Sequence, residues 1–306
     1  MRSLCCTVRV VPPHHPGSAM IALLLALGSS LAYGCADFLG GLGARRAHVL
    51  RTVLVAAPAS LAVELLLWPL LGARFEPGAV GWGAASGAAS AAAFALLYRT
   101  LAIGPMNVLS PVTALVSAML PVAVGLLQGE RLGAAGLLGL PLALAAVVLV
   151  SAGPGGGEGG DGGGGGRVRA SRRALLLALG AGAAIAVQLV CLHQAPSGSG
   201  VAPLIVGRAV TSVLTLTAVL LWRRRLGAER PAYGLAATAG ALDSLAGVLF
   251  LLAARSGDLA VVAVVTALYP TGTVLLARTV LAERIHRGQV AGLGAAALAV
   301  GLLALA

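Results

Sequence analysis

The stretch Ala22-Leu23-Leu24-Leu25-Ala26-Leu27-Gly28 recurs letter for letter 152 residues later, as Ala174-Leu175-Leu176-Leu177-Ala178-Leu179-Gly180. In a chain so rich in alanine and leucine, one such identity is weak evidence of duplication. Downstream, however, rarer residues keep almost the same register. At a shift of 153, Gly104 falls on Gly257, Thr113-Ala114-Leu115 on Thr266-Ala267-Leu268, Glu130-Arg131 on Glu283-Arg284, and Gly139-Leu140 on Gly292-Leu293. A charged pair, a threonine and several glycines in one frame are hard to obtain by chance, so the chain reads as two related halves.

Each half is almost wholly apolar. Of 306 residues, 58% are hydrophobic and only 10% are charged, against about a quarter charged in an ordinary soluble domain. So few charges leave too little to coat a water-soluble globule, whereas lipid accepts apolar side chains all round a helix. A span needs about 20 apolar residues. Reading between charges, prolines and glycines gives ten: 20–41, 48–71, 78–101, 106–127, 132–151, 174–195, 201–222, 231–254, 258–281 and 288–306. The expected fold is an all-α membrane protein with ten transmembrane helices. Its organisation is an N-terminal tail (1–19), a first five-helix repeat (20–151), a glycine-rich linker (152–173) and a second five-helix repeat (174–306). The linker is nearly pure glycine from Gly153 to Gly166, and neither packs a core nor resembles a phosphate-binding loop, because the lysine and the preceding strand are missing. Residues 1–19 do not read as a cleavable signal, and Met20 is a second place where a chain could start. An odd number of spans per half makes the second half enter the membrane with opposite polarity. That inverted repeat is the plan of many secondary transporters, which place their substrate at the repeat interface.

These features resemble the drug/metabolite transporter superfamily, and within it the EamA-type ten-helix transporters. The resemblance rests on Tyr33-Gly34-Cys35-Ala36-Asp37-Phe38 in the first span, and on Arg51 and Arg208 near the start of each half's second span. Gly104-Pro105, Gly129-Glu130-Arg131, Ala282-Glu283-Arg284, Gly139 and Gly292 complete it. It implies a transporter, commonly an exporter, of small solutes such as amino acids, metabolites or drugs, driven by protons or by exchange. It also implies a cavity lined by the first, third, fourth, sixth, eighth and ninth spans, in a multi-pass protein of the plasma membrane.

Ionisable groups at membrane depth are costly and therefore functional candidates. Asp243 lies near the middle of the eighth span, where a carboxyl suits reversible proton binding; its bland alternative is pairing with an arginine. Asp37 closes a stripe with Ser30 and Tyr33, spaced to share a helical face. Glu64 is a secondary candidate, in a span the resemblance places away from the cavity. Ser110, Thr113 and Ser117 form a second stripe, and Thr266, Tyr269 and Thr273 a third, with Thr113 and Thr266 as repeat mates. The bland alternative there is a hydroxyl bonding back to its own helix. Tyr269-Pro270 interrupts the ninth helix and frees a carbonyl. Gln188 is a further substrate contact, while His193 reads as interfacial and the Glu130 cluster as fixing helix ends. No His or Cys has a partner at metal-ligand spacing, and no cofactor is expected.

The net charge of +11 comes from 21 arginines with no lysine. They sit in short runs between apolar segments, with few aromatics, which disfavours nucleic-acid binding. Fifteen fall on the side opposite the termini and six on the terminus side, which by the positive-inside rule puts the termini outside; the resemblance implies the reverse. The rival classes are a multi-span membrane enzyme, whose HExxH or GxSxG signature does not occur, and a non-transporting scaffold. The partners expected are a small solute, membrane lipid and protons.

Overall fold

The computed structural model describes residues 16–44, 48–103, 106–130, 133–151, 172–222, 230–272 and 287–304. Most of the tail and of the glycine-rich linker lies outside these residues. The helices are α1 (Pro16–Ala44), α2 (Val49–Leu71), α3 (Pro77–Ile103), α4 (Met106–Leu127), α5 (Ala134–Ser151), α6 (Arg172–Gln194), α7 (Ala202–Trp222), α8 (Tyr233–Ser256), α9 (Leu259–Thr266) and α10 (Arg287–Ala304). Each coincides with one expected span, although α9 covers only the first part of 258–281 before a break. Six of them, α1–α3 and α6–α8, are long and apolar enough to cross a membrane, while the apolar parts of α4, α5, α9 and α10 are shorter over the described residues. Large side chains such as Leu70 (80% exposed) and Leu127 (87% exposed) point outward. Lipid, not water, is the solvent that tolerates such a surface.

α9 stops at Thr266, turns through Ala267 and Leu268, and is helical again over 269–272. Pro270 has no N–H to return to the carbonyl of Thr266, so the interruption expected from Tyr269-Pro270 is present.

The packing repeats itself. α1 packs on α8 and α6 on α3; α2 packs on α8 and α7 on α3; α1 packs on α9 and α6 on α4. The remaining major contacts, α2–α7, α4–α9 and α5–α10, each join a helix to its counterpart five places on. Exchanging the halves therefore leaves the pattern unchanged. The correspondence reaches single atoms. The Thr211 hydroxyl donates to the carbonyl of Gly87 at 2.9 Å, and the Ser60 hydroxyl donates to that of Gly240 at 2.5 Å. Gly87 and Gly240 stand 153 residues apart and Ser60 and Thr211 stand 151 apart. A Cβ on Gly87 would collide with the backbone of Gly207, and one on Gly240 with the backbone of Ala56, so both crossings require glycine.

At the end of the bundle where α1 begins, polar ties join neighbouring helix ends. Residues Ala73 and Gly200 form a single antiparallel bridge between the α2–α3 and α6–α7 connections. Arg255 donates to the Pro196 carbonyl and the Ser199 hydroxyl, both at 3.3 Å. His193 and Gln128 pair at 3.3 Å in an exposed position, as an interfacial histidine should. The Glu130 carboxylate accepts from the backbone N–H groups of Leu259 (2.6 Å) and Ala260 (2.9 Å), the free donors at the start of α9. A carboxylate there also meets the positive end of the helix dipole. We expect Glu130→Ala to cost about 1–2 kcal/mol, in the range for a lost cap, and to lower the melting temperature in detergent. Gly125→Ala should act similarly, because its new methyl would occupy the space of the Glu130 carboxylate. An unchanged melting temperature in both variants would remove Glu130 as a cap.

Candidate functional site

A central cavity opens where α1, α3, α4, α6, α8 and α9 meet. These are the six spans named by the resemblance. α1 contributes Tyr33 and Asp37, α6 contributes Gln188, and α8 contributes Asp243; α9 adds Thr266 and Tyr269, α4 adds Ser117, and α3 adds Phe94. Alanine, leucine and Ile185 fill the rest of the wall, the mostly apolar lining with a few convergent polar groups typical of a ligand site. A smaller cavity lies towards α2, lined by Ala56, Ser60 and Gly240, and shares Asp37, Phe94 and Asp243 with the first. Those three side chains therefore stand between the two spaces.

The expected residues divide. Asp243, Asp37, Tyr33, Ser117, Thr266, Tyr269 and Gln188 all reach the main cavity. Ser30 is buried but is not part of its wall. Thr113 is fully buried and donates to the carbonyl of Ala178 at 3.3 Å, joining α4 to α6 instead of facing the cavity. Ser117 lines the space, yet its hydroxyl donates to Ala114 in its own helix at 2.9 Å. The Ser110 side chain and Thr273 lie outside the described residues. Glu64 is fully buried and absent from the cavity wall, as its span implies.

Behind Asp243 lies the residue the sequence reading misplaced. Arg208 opens no interface; it is 3% exposed, six residues into α7, or about 9 Å along the axis at 1.5 Å per residue. Its guanidinium meets Asp243 (Nη2 to Oδ2, 2.5 Å), Glu64 (Nε to Oε1, 3.4 Å) and the Ser90 hydroxyl (Nη1 to Oγ, 3.3 Å). One side chain on α7 thus gathers α2, α3 and α8. Buried in this way, Arg208 drops out of the loop-charge count on the terminus side. Pairing with an arginine, the bland alternative for Asp243, is what the geometry shows, but at the wall of a cavity rather than in a closed core. Asp37 makes no hydrogen bond or ion pair among the described residues, and lies within electrostatic reach of Asp243, Tyr33 and Tyr269. Ser60, besides holding Gly240, lies beside Asp243.

Fold and cavity together define a multi-pass helical membrane protein built round a central cavity that carries a few polar groups. Residues 172–305 match the EamA-like transporter family, which bears out the resemblance to the drug/metabolite transporter superfamily and supports reading the chain as a membrane transporter. The chain has no sequence match among curated proteins. A solved structure described only as "Crystal structure of protein" superposes with a TM-score of 0.70 at 16% identity, covering 92% of this chain and 95% of that one. At that identity the likeness concerns the fold.

Proposed function

We propose that the protein is a secondary active transporter that exports a small organic solute across the plasma membrane by alternating access of two inverted five-helix halves. The observation that carries this reading is a cavity walled by three helices from each half, with Asp37 and Asp243 on it and a buried arginine behind. The family matched is one of transporters, which points away from catalysis.

Proton coupling through Asp243 is part of the proposal. The groups facing it are Arg208, Asp37, Glu64 and Tyr33. A proton on Asp243 would weaken its hold on Arg208, leaving the guanidinium to Glu64, so occupancy of the wall and the position of α7 would change together. Asp243→Asn in proteoliposomes should abolish solute flux driven by a pH gradient while solute exchange without a gradient persists. Undiminished pH-driven flux in the variant would refute the assignment, and absence of any solute flux by the wild type would refute transport.

A further inference from the structure

Resting on the reading that this cavity holds the transported solute, we propose that its cargo is a compact organic monocation with an apolar or aromatic body, rather than a zwitterion or an anion. Among the described residues, no lysine, arginine or histidine lines the cavity, whereas two carboxylates do. Arg208, the partner of Asp243, is held behind the wall by Glu64 and Asp243. With all groups ionised, Asp37, Glu64 and Asp243 outnumber Arg208 by two charges, and after one proton is taken by one. A monocation beside Asp37 would neutralise that remainder. The carboxylate of an amino acid would instead enter a mostly apolar space already in negative excess, with no cation among its described wall residues to receive it.

Independent features of the wall fit the same cargo. Tyr33, Phe94 and Tyr269 bring three aromatic rings to it, and ring faces attract a desolvated cation. Thr266 is 3% exposed and lines the cavity, yet its hydroxyl has no hydrogen-bond partner among the described residues. The Tyr33 hydroxyl is likewise buried and unpartnered at the wall. A buried hydroxyl without a partner costs free energy that an incoming ligand can recover. An ammonium N–H, or the polarised C–H groups round a quaternary nitrogen, would find these oxygens.

The test uses three solutes sharing a benzyl body: benzyltrimethylammonium, zwitterionic phenylalanine and neutral benzyl alcohol. Calorimetric titration of the purified full-length protein should show the cation binding at least about tenfold more tightly than either of the others, the factor expected for one buried charge pair over none. Asp37→Asn should weaken cation binding about tenfold, Asp37→Glu should keep most of it, and Phe94→Leu should weaken it several-fold through the lost ring. Phenylalanine binding as tightly as the cation, or no binding of the cation, would overturn the proposal, as would unchanged affinity in both Asp37→Asn and Phe94→Leu. If Asp37→Asn fails to fold, the three-solute comparison on the wild type and Phe94→Leu still decide. Cation binding without gradient-driven accumulation in proteoliposomes would uphold the cation site and refute transport.

Discussion

Arg208→Met is expected to remove most of the folded protein, and adding Glu64→Gln and Asp243→Asn to it is expected to restore the fold. The single change strands two carboxylates in a space where Glu64 is fully buried and Asp243 nearly so. Breaking a buried ion pair from one side costs about 3–5 kcal/mol, because the partner keeps its charge and loses its compensation. Replacing all charged members together is often close to neutral, since desolvation had offset most of their attraction. Yield of monodisperse protein and melting temperature in detergent are the readouts. The triple variant should also be dead in pH-driven flux, which separates the stabilising part of the cluster from its part in transport. A stable Arg208→Met would mean that the carboxylates do not depend on the guanidinium, and the cluster would lose its central place.

Gly87→Ala and Gly240→Ala should be comparably harmful. Each added methyl would meet a backbone carbonyl across a helix crossing, that of Gly207 in one case and of Ala56 in the other. A backbone carbonyl has no rotamer by which to yield. Overpacking usually costs about 1–3 kcal/mol, and here the receding helices would also stretch the Thr211–Gly87 and Ser60–Gly240 hydrogen bonds. Gly81→Ala is the control, because on the same helix its methyl meets nothing within 4 Å. Melting curves should place Gly81→Ala near the wild type and the other two well below it. Equal melting temperatures for all three would contradict the close approach.

Most of the architecture was legible because lipid imposes a blunt code. Long apolar runs, interrupted by Arg45-Arg46, Gly104-Pro105 or Arg223-Arg224-Arg225, mark spans in composition alone. The expected span 106–127 falls on α4 to the residue, and the others, α9 apart, differ by a few residues at helix ends that fray or are capped from elsewhere. Residues spaced along one helix were also readable as a face, which is why Tyr33 with Asp37, and Thr266 with Tyr269, reach one cavity. Which face turns inward is fixed by other helices, so Thr113 and Ser30 shared a stripe with cavity residues and still pack elsewhere.

Arg208 was hidden for a different reason. Matching it to Arg51 assumed a register that the α2–α7 packing contradicts: there the shift is 151, as Ser60 and Thr211 show, and it sets Arg208 against Ala57. Small length differences between the connections of the two halves shift the frame locally. Charge balance was the available signal. Two acids near the middle of spans call for a cation at similar depth, and Arg208, about two turns into its helix, was the arginine in that half that could supply it. Ser90 and Phe94 carried no such signal, because a serine and a phenylalanine in an apolar helix are ordinary.

The two halves correspond in their packing, but their charges do not. Ser90 occupies the place of Asp243, Ala57 that of Arg208, and Thr215 answers Glu64. If two copies of the second half were to assemble alone, each would bring its own Arg208–Asp243 pair and remain neutral at the centre. Two copies of the first half would bury a glutamate in each and no guanidinium at all. The first half is therefore the dependent one: an ionised Glu64 finds its counter-ion in the other half.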